Sequence, residues 1–184
     1  MKKQIKVLAV VIAGMMSTGV AHAQTVMVGD EAMYPKKNIV ENAVKSKDHT
    51  TLVAAVKAAG LVDALQGDGP LTVFAPVNAA FDELPEGTVS TLLKPENKGM
   101  LTSVLTYHVV AGAYDADKLM MEIKKGMGTA KLKTLAGGTL TFKMNGKHNI
   151  SITDDKGGVA NISIYDVYQS NGVIHSIDKV LLPG

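Results

Sequence analysis

The sequence predicts a single α+β domain, with its helices mostly in the N-terminal half and antiparallel strands mostly in the C-terminal half. Between residues 38 and 105, apolar residues recur at intervals of three and four, as they do on one face of a helix. From Thr106 onward apolar and polar residues alternate, which is the period of a half-buried strand. Dipeptides typical of hairpin turns, such as Asn145-Gly146 and Asn171-Gly172, separate these alternating runs. Helices and strands that are segregated along the chain indicate the α+β class.

The predicted helices are short, and most have a recognisable start or stop. Asn38 is placed to cap a helix over 39–44, and Asp48 to cap a second helix that Gly60 ends. Pro95 suits the first turn of a helix over 96–105. Its inward-facing residues are predicted to be Met100, Leu101, Val104 and Leu105. Further short helices are predicted over 61–65, 79–84, 88–93 and 115–123. The predicted strands are 71–75, 107–110, 131–135, 139–144, 149–153, 159–167 and 173–182.

The first 23 residues are predicted to be a secretory signal peptide. Three lysines precede an apolar run over 7–16, and Ala21-His22-Ala23 has the small-x-small pattern of a cleavage site. The run is shorter than the ~20 residues that span a bilayer, which argues against a membrane anchor. The predicted organisation is a signal peptide over 1–23, an N-terminal arm over 24–37 and one folded domain over 38–183. Met27, Val28 and Met33 of the arm are available to dock on that domain.

Composition argues against several functions. Every one of the 19 basic residues is lysine, and loss of the three in the signal peptide would change the formal net charge from +2 to −1. Without arginine the chain lacks the planar donor that pairs with phosphate and guanine, so we expect no nucleic-acid partner. The chain has no cysteine, and therefore neither disulfides nor an acylation site. We expect a soluble secreted protein, periplasmic or extracellular, with no transmembrane anchor after signal removal.

The stretch TVFAPVNAAF (72–81) begins as a buried strand, breaks at a proline and continues as a helix. A phosphate-binding loop needs several glycines, and residues 75–79 contain none. A nucleophile elbow needs a serine between glycines, and this turn has Asn78 instead. The break therefore predicts a strand-to-helix corner at which Asn78 caps the following helix and ties down backbone donors.

His108 and His175 lie in apolar, strand-like segments and are candidates for metal ligand, general base or buried hydrogen-bonding residue. No His-Glu-x-x-His or equivalent ligand pattern accompanies them, which favours the buried role. Ser176 lies between His175 and Asp178, but neighbours in a strand point to opposite faces, so these three do not form a hydrolase triad. A hydrolase would need a Ser or Thr within hydrogen-bond reach of His108 or His175 in an open cleft. We expect no catalytic residue, no cofactor and no metal site.

Methionines support an alternative of a different class. Met120, Met121 and Met127 are close in sequence, and thioether sulfur is a ligand for Cu(I). Their spacing is not a repeated Met-x-x-Met, and methionine also fills irregular cores, so packing is the favoured interpretation. The alternative function is a periplasmic copper or small-molecule binding protein that uses these methionines with His49 or His148.

Three segments together resemble the fasciclin-like domain family. TVFAPVNAAF (72–81), TYHVV (106–110) and NGVIHSIDKVLLP (171–183) look like its first conserved box, its Tyr-His motif and its second conserved box, in that order. The resemblance implies a wedge or sandwich of antiparallel strands flanked by several helices. It also implies that the motifs are largely structural. Asn78, His108 and Asp178 would then form a hydrogen-bonded framework that joins the first strand-helix corner to the central and final strands.

The family is associated with adhesion, and the resemblance implies a secreted, non-enzymatic module. Its expected partner is a protein or glycan on a cell surface or in an extracellular matrix, with weak self-association as a further expectation. Integrin contacts of animal members correspond here to Tyr107 and His108, and to Asp166 and Val167. Val167 stands where the animal motif has isoleucine, which argues against direct integrin binding.

The predicted contact surface uses exposed positions around Tyr165, Asp166 and Tyr168. Tyrosine gives a large amphipathic contact area at modest entropic cost, which suits a recognition surface. The alternative is that these tyrosines only cover the core.

Overall fold

The structure is a computed structural model that describes residues 25–184, so the predicted signal peptide lies outside the described residues. The helices are α1 (Ile39–Ala43), α2 (Thr50–Ala59), α3 (Val62–Gln66), α4 (Asn78–Asp82), α5 (Thr88–Leu92), α6 (Lys98–Tyr107) and α7 (Ala116–Lys125). Short 3₁₀ turns over Lys47–His49 and Pro95–Asn97 precede α2 and α6. The strands are β1 (Val26–Val28), β2 (Glu31–Met33), β3 (Leu71–Pro76), β4 (Val109–Ala111), β5 (Ala130–Lys133), β6 (Thr139–Asn145), β7 (Asn149–Thr153), β8 (Val159–Gln169) and β9 (Gly172–Ile177).

Local sequence signals set several helix ends. Asn38 accepts a hydrogen bond from the Glu41 amide while the Glu41 carboxylate accepts one from the Asn38 amide, which is the capping box predicted for α1. Gly60 ends α2 in a left-handed conformation, with φ of 71°. The prediction that Asp48 caps α2 is wrong, because His49 occupies the cap position and makes no side-chain cap bond.

The Tyr-His motif ends a helix instead of starting a strand, which corrects the strand predicted over 107–110. Helix α6 continues to Tyr107, His108 is its C-terminal cap and β4 begins at Val109. The helical period places Leu101, Val104 and Leu105 on the buried face. Met100 was predicted to share that face, but it is 61% exposed. Adjacent side chains on a helix point about 100° apart. Met100 therefore points away from the buried face that contains Leu101.

Seven strands form one sheet in the order β4-β3-β9-β8-β7-β6-β5. Its neighbours are antiparallel except for β3 and β9, which pair in parallel from Leu71–Gly172 to Pro76–Ile177. The sheet is therefore mixed, and the purely antiparallel expectation is corrected for this pair. Val110 of β4 bridges Thr134, and the Leu135 amide donates to the Val109 carbonyl at 2.8 Å. These contacts bring the two edges of the curled sheet together.

Two hydrophobic clusters lie on opposite faces of β3 and β9. The first, here called the strand core, is enclosed by the curled sheet and α7. Its larger members are Phe74, Tyr107, Leu119, Ile123, Leu140, Phe142, Ile150, Ile152, Ile162 and Ile177. The second, here called the helix core, lies between the other face of these strands and the N-terminal helices. Its members include Val28, Met33, Ile39, Leu52, Ala55, Val73, Ala75, Leu101, Leu105, Val167 and Ile174.

The N-terminal arm forms an antiparallel hairpin, β1 with β2, that covers part of the helix core. Val28 and Met33 are 4% and 3% exposed, as expected for docking residues. Met27 is 59% exposed, so its predicted docking is wrong. The hairpin turn uses Gly29 and Asp30, both with positive φ, and a side chain on Gly29 would meet the Asp48 amide at 2.7 Å.

Candidate functional site

Asn78 links the β3-α4 corner to the start of α2. Its Oδ1 accepts hydrogen bonds from the Thr51 amide at 3.0 Å and from Thr50 Oγ1 at 3.2 Å. Its Nδ2 donates to the Lys47 carbonyl at 2.8 Å. The prediction that Asn78 caps the helix following it is wrong, because Val77 is the cap residue of α4 and makes no side-chain bond. Asn78 instead binds a free amide in the first turn of α2, as a cap supplied from another segment.

His108 links α6 to the C-terminal segment. Its Nδ1 donates to the Val104 carbonyl at 2.8 Å, and its Nε2 accepts from the Leu181 amide at 2.9 Å. A nitrogen that accepts an amide hydrogen carries no proton, so the ring is neutral with its hydrogen on Nδ1. Burial lowers the pKa of His108 to about 4.

Asp178 joins the end of β9 to β8. Its two oxygens accept from the Asn161 amide at 2.7 Å and from Asn161 Nδ2 at 2.9 Å. Among residues 25–184, no hydrogen bond connects Asn78, His108 and Asp178 to one another. Each of the three joins a different pair of segments.

Tyr107 is fully buried between the β5-β6 and β7-β8 connections. Its hydroxyl donates to the Thr139 carbonyl at 3.1 Å and accepts from the Asp155 amide at 2.8 Å. Burial raises the pKa of Tyr107 to about 12. The neighbouring Asp154 accepts three backbone amides, from Lys156, Gly158 and Leu182. Sequence reasoning missed Asp154, although an aspartate opening a glycine-containing turn is a typical signal for such bonds.

Asp166 and Tyr165 are used inside the fold. Strand β8 has two register shifts between Ile162 and Val167, and Asp166 adopts φ of 57°. This bend directs Asp166 Oδ1 to the Ala116 amide at 2.7 Å, in the first turn of α7. The Tyr165 hydroxyl accepts from the Ile150 amide at 2.8 Å. Both side chains therefore fix neighbouring elements.

Three of the residues that were proposed to contact a partner are buried. Tyr107, His108 and Val167 are 0%, 3% and 2% exposed, so a partner cannot touch them in this conformation. Tyr168 is the exposed member of the six candidates, at 37%. Its hydroxyl donates to Asp115 Oδ2 at 3.4 Å. Burial of the hydroxyl, followed by the Asp166 and Asp115 charges, raises the pKa of Tyr168 to about 12.

An open cleft with mixed polar and apolar walls, here called the polar cleft, lies next to Tyr168. Its volume is about 640 Å³, and its walls come from the segments around residues 66–70 and 168–172 with Asn38 and Ala113. Asn171 holds the walls together: its Nδ2 donates to the Leu65 and Gly67 carbonyls at 2.9 and 3.0 Å, and its Oδ1 accepts from the Ile39 amide at 3.0 Å. Gln66 and Asp68 are exposed at the cleft.

His175 packs within the strand core. Its ring stacks on Phe74 with centroids 5.6 Å apart, its Nε2 donates to the Tyr114 carbonyl at 2.7 Å and its Nδ1 accepts from the Asp166 amide at 3.3 Å. Burial lowers the pKa of His175. The partners of His175 and His108 are backbone groups, so neither ring contacts the serine or threonine that a hydrolase would require.

Ser176 contacts a different histidine on the other face of β9. Its Oγ lies 3.3 Å from His49 Nε2, and His49 Nδ1 lies 2.8 Å from Ser46 Oγ. Ser176 is fully buried. The side chain that orients His49 is the hydroxyl of Ser46, where a hydrolase triad would have a carboxylate. This arrangement lacks the orienting acid and the open access of a hydrolase site. Sequence reasoning did not anticipate the Ser46-His49-Ser176 cluster, because Ser176 lies 127 residues from His49 in the chain.

The predicted copper ligands lie in different environments. Met120 packs against the strand core, whereas Met121 and Met127 are 52% and 96% exposed. His49 is buried in the serine cluster and His148 is exposed. Within the described part of the chain, no group of three or more His, Asp or Glu side chains is arranged to hold a metal ion. No helix in that part is both long enough and apolar enough to cross a bilayer.

The mixed sheet, its helical cover and the three motifs that join its segments are those of a fasciclin domain. Residues 47–183 match the Fasciclin domain family, and the chain belongs to that family. This confirms the family and the fold that the three sequence segments predicted.

Relatives of similar size and of much greater size share the domain. The chain is 43% identical over 175 residues to protein sll1483 of Synechocystis, covering 92% of this chain and 89% of that protein. It is 34% identical over 161 residues to transforming growth factor-beta-induced protein ig-h3 of Sus scrofa, covering 86% of this chain and 21% of that protein. The fold is similar to that of a FAS1 domain pair from the insect cell adhesion molecule Fasciclin I, with a TM-score of 0.71 and 19% identity, over 80% of this chain and 51% of that one.

Proposed function

We propose that this protein is a secreted, non-enzymatic interaction module that binds a protein or glycan on a cell surface or in an extracellular matrix. Membership of the fasciclin family supports this function, as does the likeness of the fold to that of an insect cell adhesion molecule. Asn78, His108 and Asp178 are engaged in holding segments together, which leaves recognition to the surface.

The observation that carries the proposal is the position of Tyr168 at the polar cleft. Tyr168 is 37% exposed, and its hydroxyl lies 3.4 Å from Asp115 Oδ2. The cleft wall beside it is fixed by the three hydrogen bonds of Asn171. An exposed aromatic ring beside a wall that is fixed by hydrogen bonds provides contact area at a modest ordering cost on binding. Gln66 and Asp68 add a hydrogen-bond donor and acceptors for a polar partner.

Capture of the purified protein by intact cells and by isolated matrix tests this surface. We expect Tyr168→Ala to weaken capture at least tenfold, as loss of a central aromatic contact does in interfaces where it contributes about 1.4 kcal/mol or more. Tyr168→Phe keeps the ring and should retain most of the binding. Tyr34→Ala is the matched control, because Tyr34 is 47% exposed and lies outside the cleft lining.

Enzymatic treatment of the target identifies the chemical class of the partner. Loss of capture after glycosidase treatment indicates a glycan, and loss after protease treatment indicates a protein. Equal capture of the parent and the Tyr168→Ala variant would remove the proposed surface.

A further inference from the structure

Charge is distributed unevenly along the described chain. Residues 123–153 contain six lysines and no aspartate or glutamate, whereas the rest of residues 25–184 contain ten lysines and all 17 acidic residues. The formal charge is therefore +6 for the first part and −7 for the second. The basic part comprises the end of α7 and strands β5, β6 and β7, which are neighbours in the sheet. The excess of lysine is thus a local feature of the folded domain.

Three of these lysines share the outer face of the curled sheet. The residues of β5 and β6 that contact the strand core alternate with exposed lysines, which therefore lie on the opposite face. These lysines are Lys131, Lys133 and Lys143, and they define the lysine face.

The register of the strands places the three lysines close together. Lys131 pairs with Thr141 across β5 and β6, and Lys143 follows Thr141 by two residues. Lys131 and Lys143 are therefore diagonal neighbours, about 7–8 Å apart between their backbones. Lys131 and Lys133 are separated by about 7 Å along one strand. Like charges at this spacing repel one another, so an anion between them would be stabilising.

Carboxylates of the domain do not pair with these lysines. Among residues 25–184, no carboxylate oxygen lies within 4.0 Å of an ammonium group of the lysine face. Asp155 and Asp178 lie at its margins, where Asp155 accepts from the Thr139 amide at 3.1 Å and Asp178 from the Asn161 amide at 2.7 Å. Backbone amides already bind both carboxylates. The positive charge of the face is therefore available to a partner.

Hydroxyl and amide side chains surround the lysines. The outward positions of β5, β6 and β7 are all polar. Besides the lysines they are Thr139, Thr141, Asn145, Asn149, Ser151 and Thr153. Such groups both donate and accept hydrogen bonds. They suit a partner that carries hydroxyls as well as negative charges.

We infer that the lysine face binds an acidic polysaccharide, a chain of sugar units that carry carboxylates. The lysines pair with the carboxylates, and the threonine and serine hydroxyls bond to the hydroxyls of the sugar rings. An extended chain lying across the sheet contacts several lysines at once, so individually weak contacts act together. The residues of the lysine face do not line the Tyr168 cleft, so either proposal can fail without the other.

The Tyr168 cleft has the opposite charge character. Asp68 lines it, and Asp115 Oδ2 lies 3.4 Å from the Tyr168 hydroxyl. A polyanion is therefore repelled from the cleft and attracted to the lysine face. The charge distribution would orient the domain on such a polymer, with the lysine face toward it.

The same face fits two other polyanions less well. Proteins that bind single-stranded nucleic acid stack bases on aromatic rings, and the outward positions of β5, β6 and β7 carry none. Proteins that lie on anionic membranes insert large apolar side chains. Here the exposed apolar residue beside these strands is Val159, at the margin in β8, and it offers little area for insertion.

Carboxymethyl dextran and unmodified dextran are a matched pair of probes, because they share a backbone and differ in the carboxylates. The purified protein should bind immobilised carboxymethyl dextran at ~0.1 M salt and should not bind dextran. Binding should be lost at ~1 M salt, where the screening length falls from ~10 Å to ~3 Å. Equal retention by both polymers, or binding that persists at the higher salt concentration, would overturn the inference.

Lysine variants test the assigned surface. Lys131→Gln with Lys143→Gln should weaken binding about 25-fold, since a lysine at an anionic surface contributes about fivefold. Lys131→Arg with Lys143→Arg keeps the charge and should retain binding. The control is Lys94→Gln with Lys98→Gln, which changes the net charge equally at exposed positions outside the lysine face. Thermal melting checks that all three variants fold as the parent does.

Three outcomes would contradict the assignment. Equal weakening by the two glutamine pairs would show that net charge, and not the lysine face, controls binding. Tighter binding to anionic lipid vesicles or single-stranded DNA than to carboxymethyl dextran, at equal concentrations of negative charge, would assign the face to a different class of partner. Self-association in sedimentation without polymer, lost when Lys131 and Lys143 are replaced, would assign it to contacts between copies of this chain.

Discussion

The strand core and the helix core share strands β3 and β9 but differ in how completely they are filled. The strand core contains Phe74 and Phe142 with ring centroids 5.2 Å apart, and a curled sheet and α7 surround it. The helix core is bounded partly by the five-residue helices α1 and α3 and retains a cavity of about 130 Å³. Large rings inside a closed sheet fill their space, whereas valines and alanines on short helices leave a void. The two faces of the same strands therefore differ in packing: one is filled by large side chains, and the other retains a void.

Matched leucine truncations provide the largest expected difference between the two cores. Leu140 is fully buried in the strand core, and Leu52 lines the cavity. We expect Leu140→Ala to lower the free energy of unfolding by about 4–5 kcal/mol and Leu52→Ala by about 2–3 kcal/mol, the upper and lower parts of the range for buried leucines. Atoms that face a void have already lost contacts on that side, so their removal costs less.

Urea unfolding of both variants and the parent measures this difference. The comparison requires unchanged m-values, because these show that each unfolding transition exposes the same surface. Equal losses, or a larger loss for Leu52→Ala, would show that the helix core is packed as tightly as the strand core.

Buried histidines make stability depend on pH, and they lie on both sides of the shared strands. Burial lowers the pKa of His49 and His175, and lowers that of His108 to about 4. The unfolded chain binds a proton at each histidine below about pH 6.5, whereas folded His108 does so only near pH 4. Stability is therefore complete above pH 6.5 and falls as pH decreases toward 4.

His108→Gln isolates the contribution of one imidazole. Between pH 7 and pH 5, His108 should account for about 2 kcal/mol of the lost stability. Glutamine can donate to the Val104 carbonyl and accept from the Leu181 amide without titrating, so the variant should show a correspondingly shallower pH dependence. His148→Gln, at an exposed position, keeps all three buried rings and is the control. A His108→Gln variant with the pH dependence of the parent would contradict the assignment.

Sequence reasoning succeeded where the determining contacts are local. The capping box at Asn38 and the left-handed stop at Gly60 depend on residues within one helical turn. The β7 strand was predicted with its observed bounds, because alternation and flanking turns are also local. These signals, with the three family segments, were enough for the fold class.

Features that depend on distant segments could not be read from the sequence. The bend at Asp166 is determined by the α7 amide that its carboxylate reaches, 50 residues away. The motif at Tyr107 has the composition of a strand, but packing of α6 extends the helix through it. The cavity exists because α1, α2 and α3 approach the sheet without filling the gap, and no local pattern encodes that distance.

Substitution of Asn78 is expected to have the smallest effect on stability. It tests whether the hydrogen bonds between the β3-α4 corner and the start of α2 stabilise the domain. Asn78→Ala removes the acceptor for the Thr51 amide and the donor to the Lys47 carbonyl, and should cost about 1 kcal/mol, as loss of a helix cap does. Asn78→Asp keeps the acceptor and places a negative charge at the α2 N-terminus, where the helix dipole favours it, so it should cost less than the alanine variant. Thermal melting of both variants beside the parent provides the comparison. An alanine variant that melts with the parent would show that the hydrogen bonds of Asn78 contribute nothing to stability, and that the framework predicted from the family motifs does not include this residue.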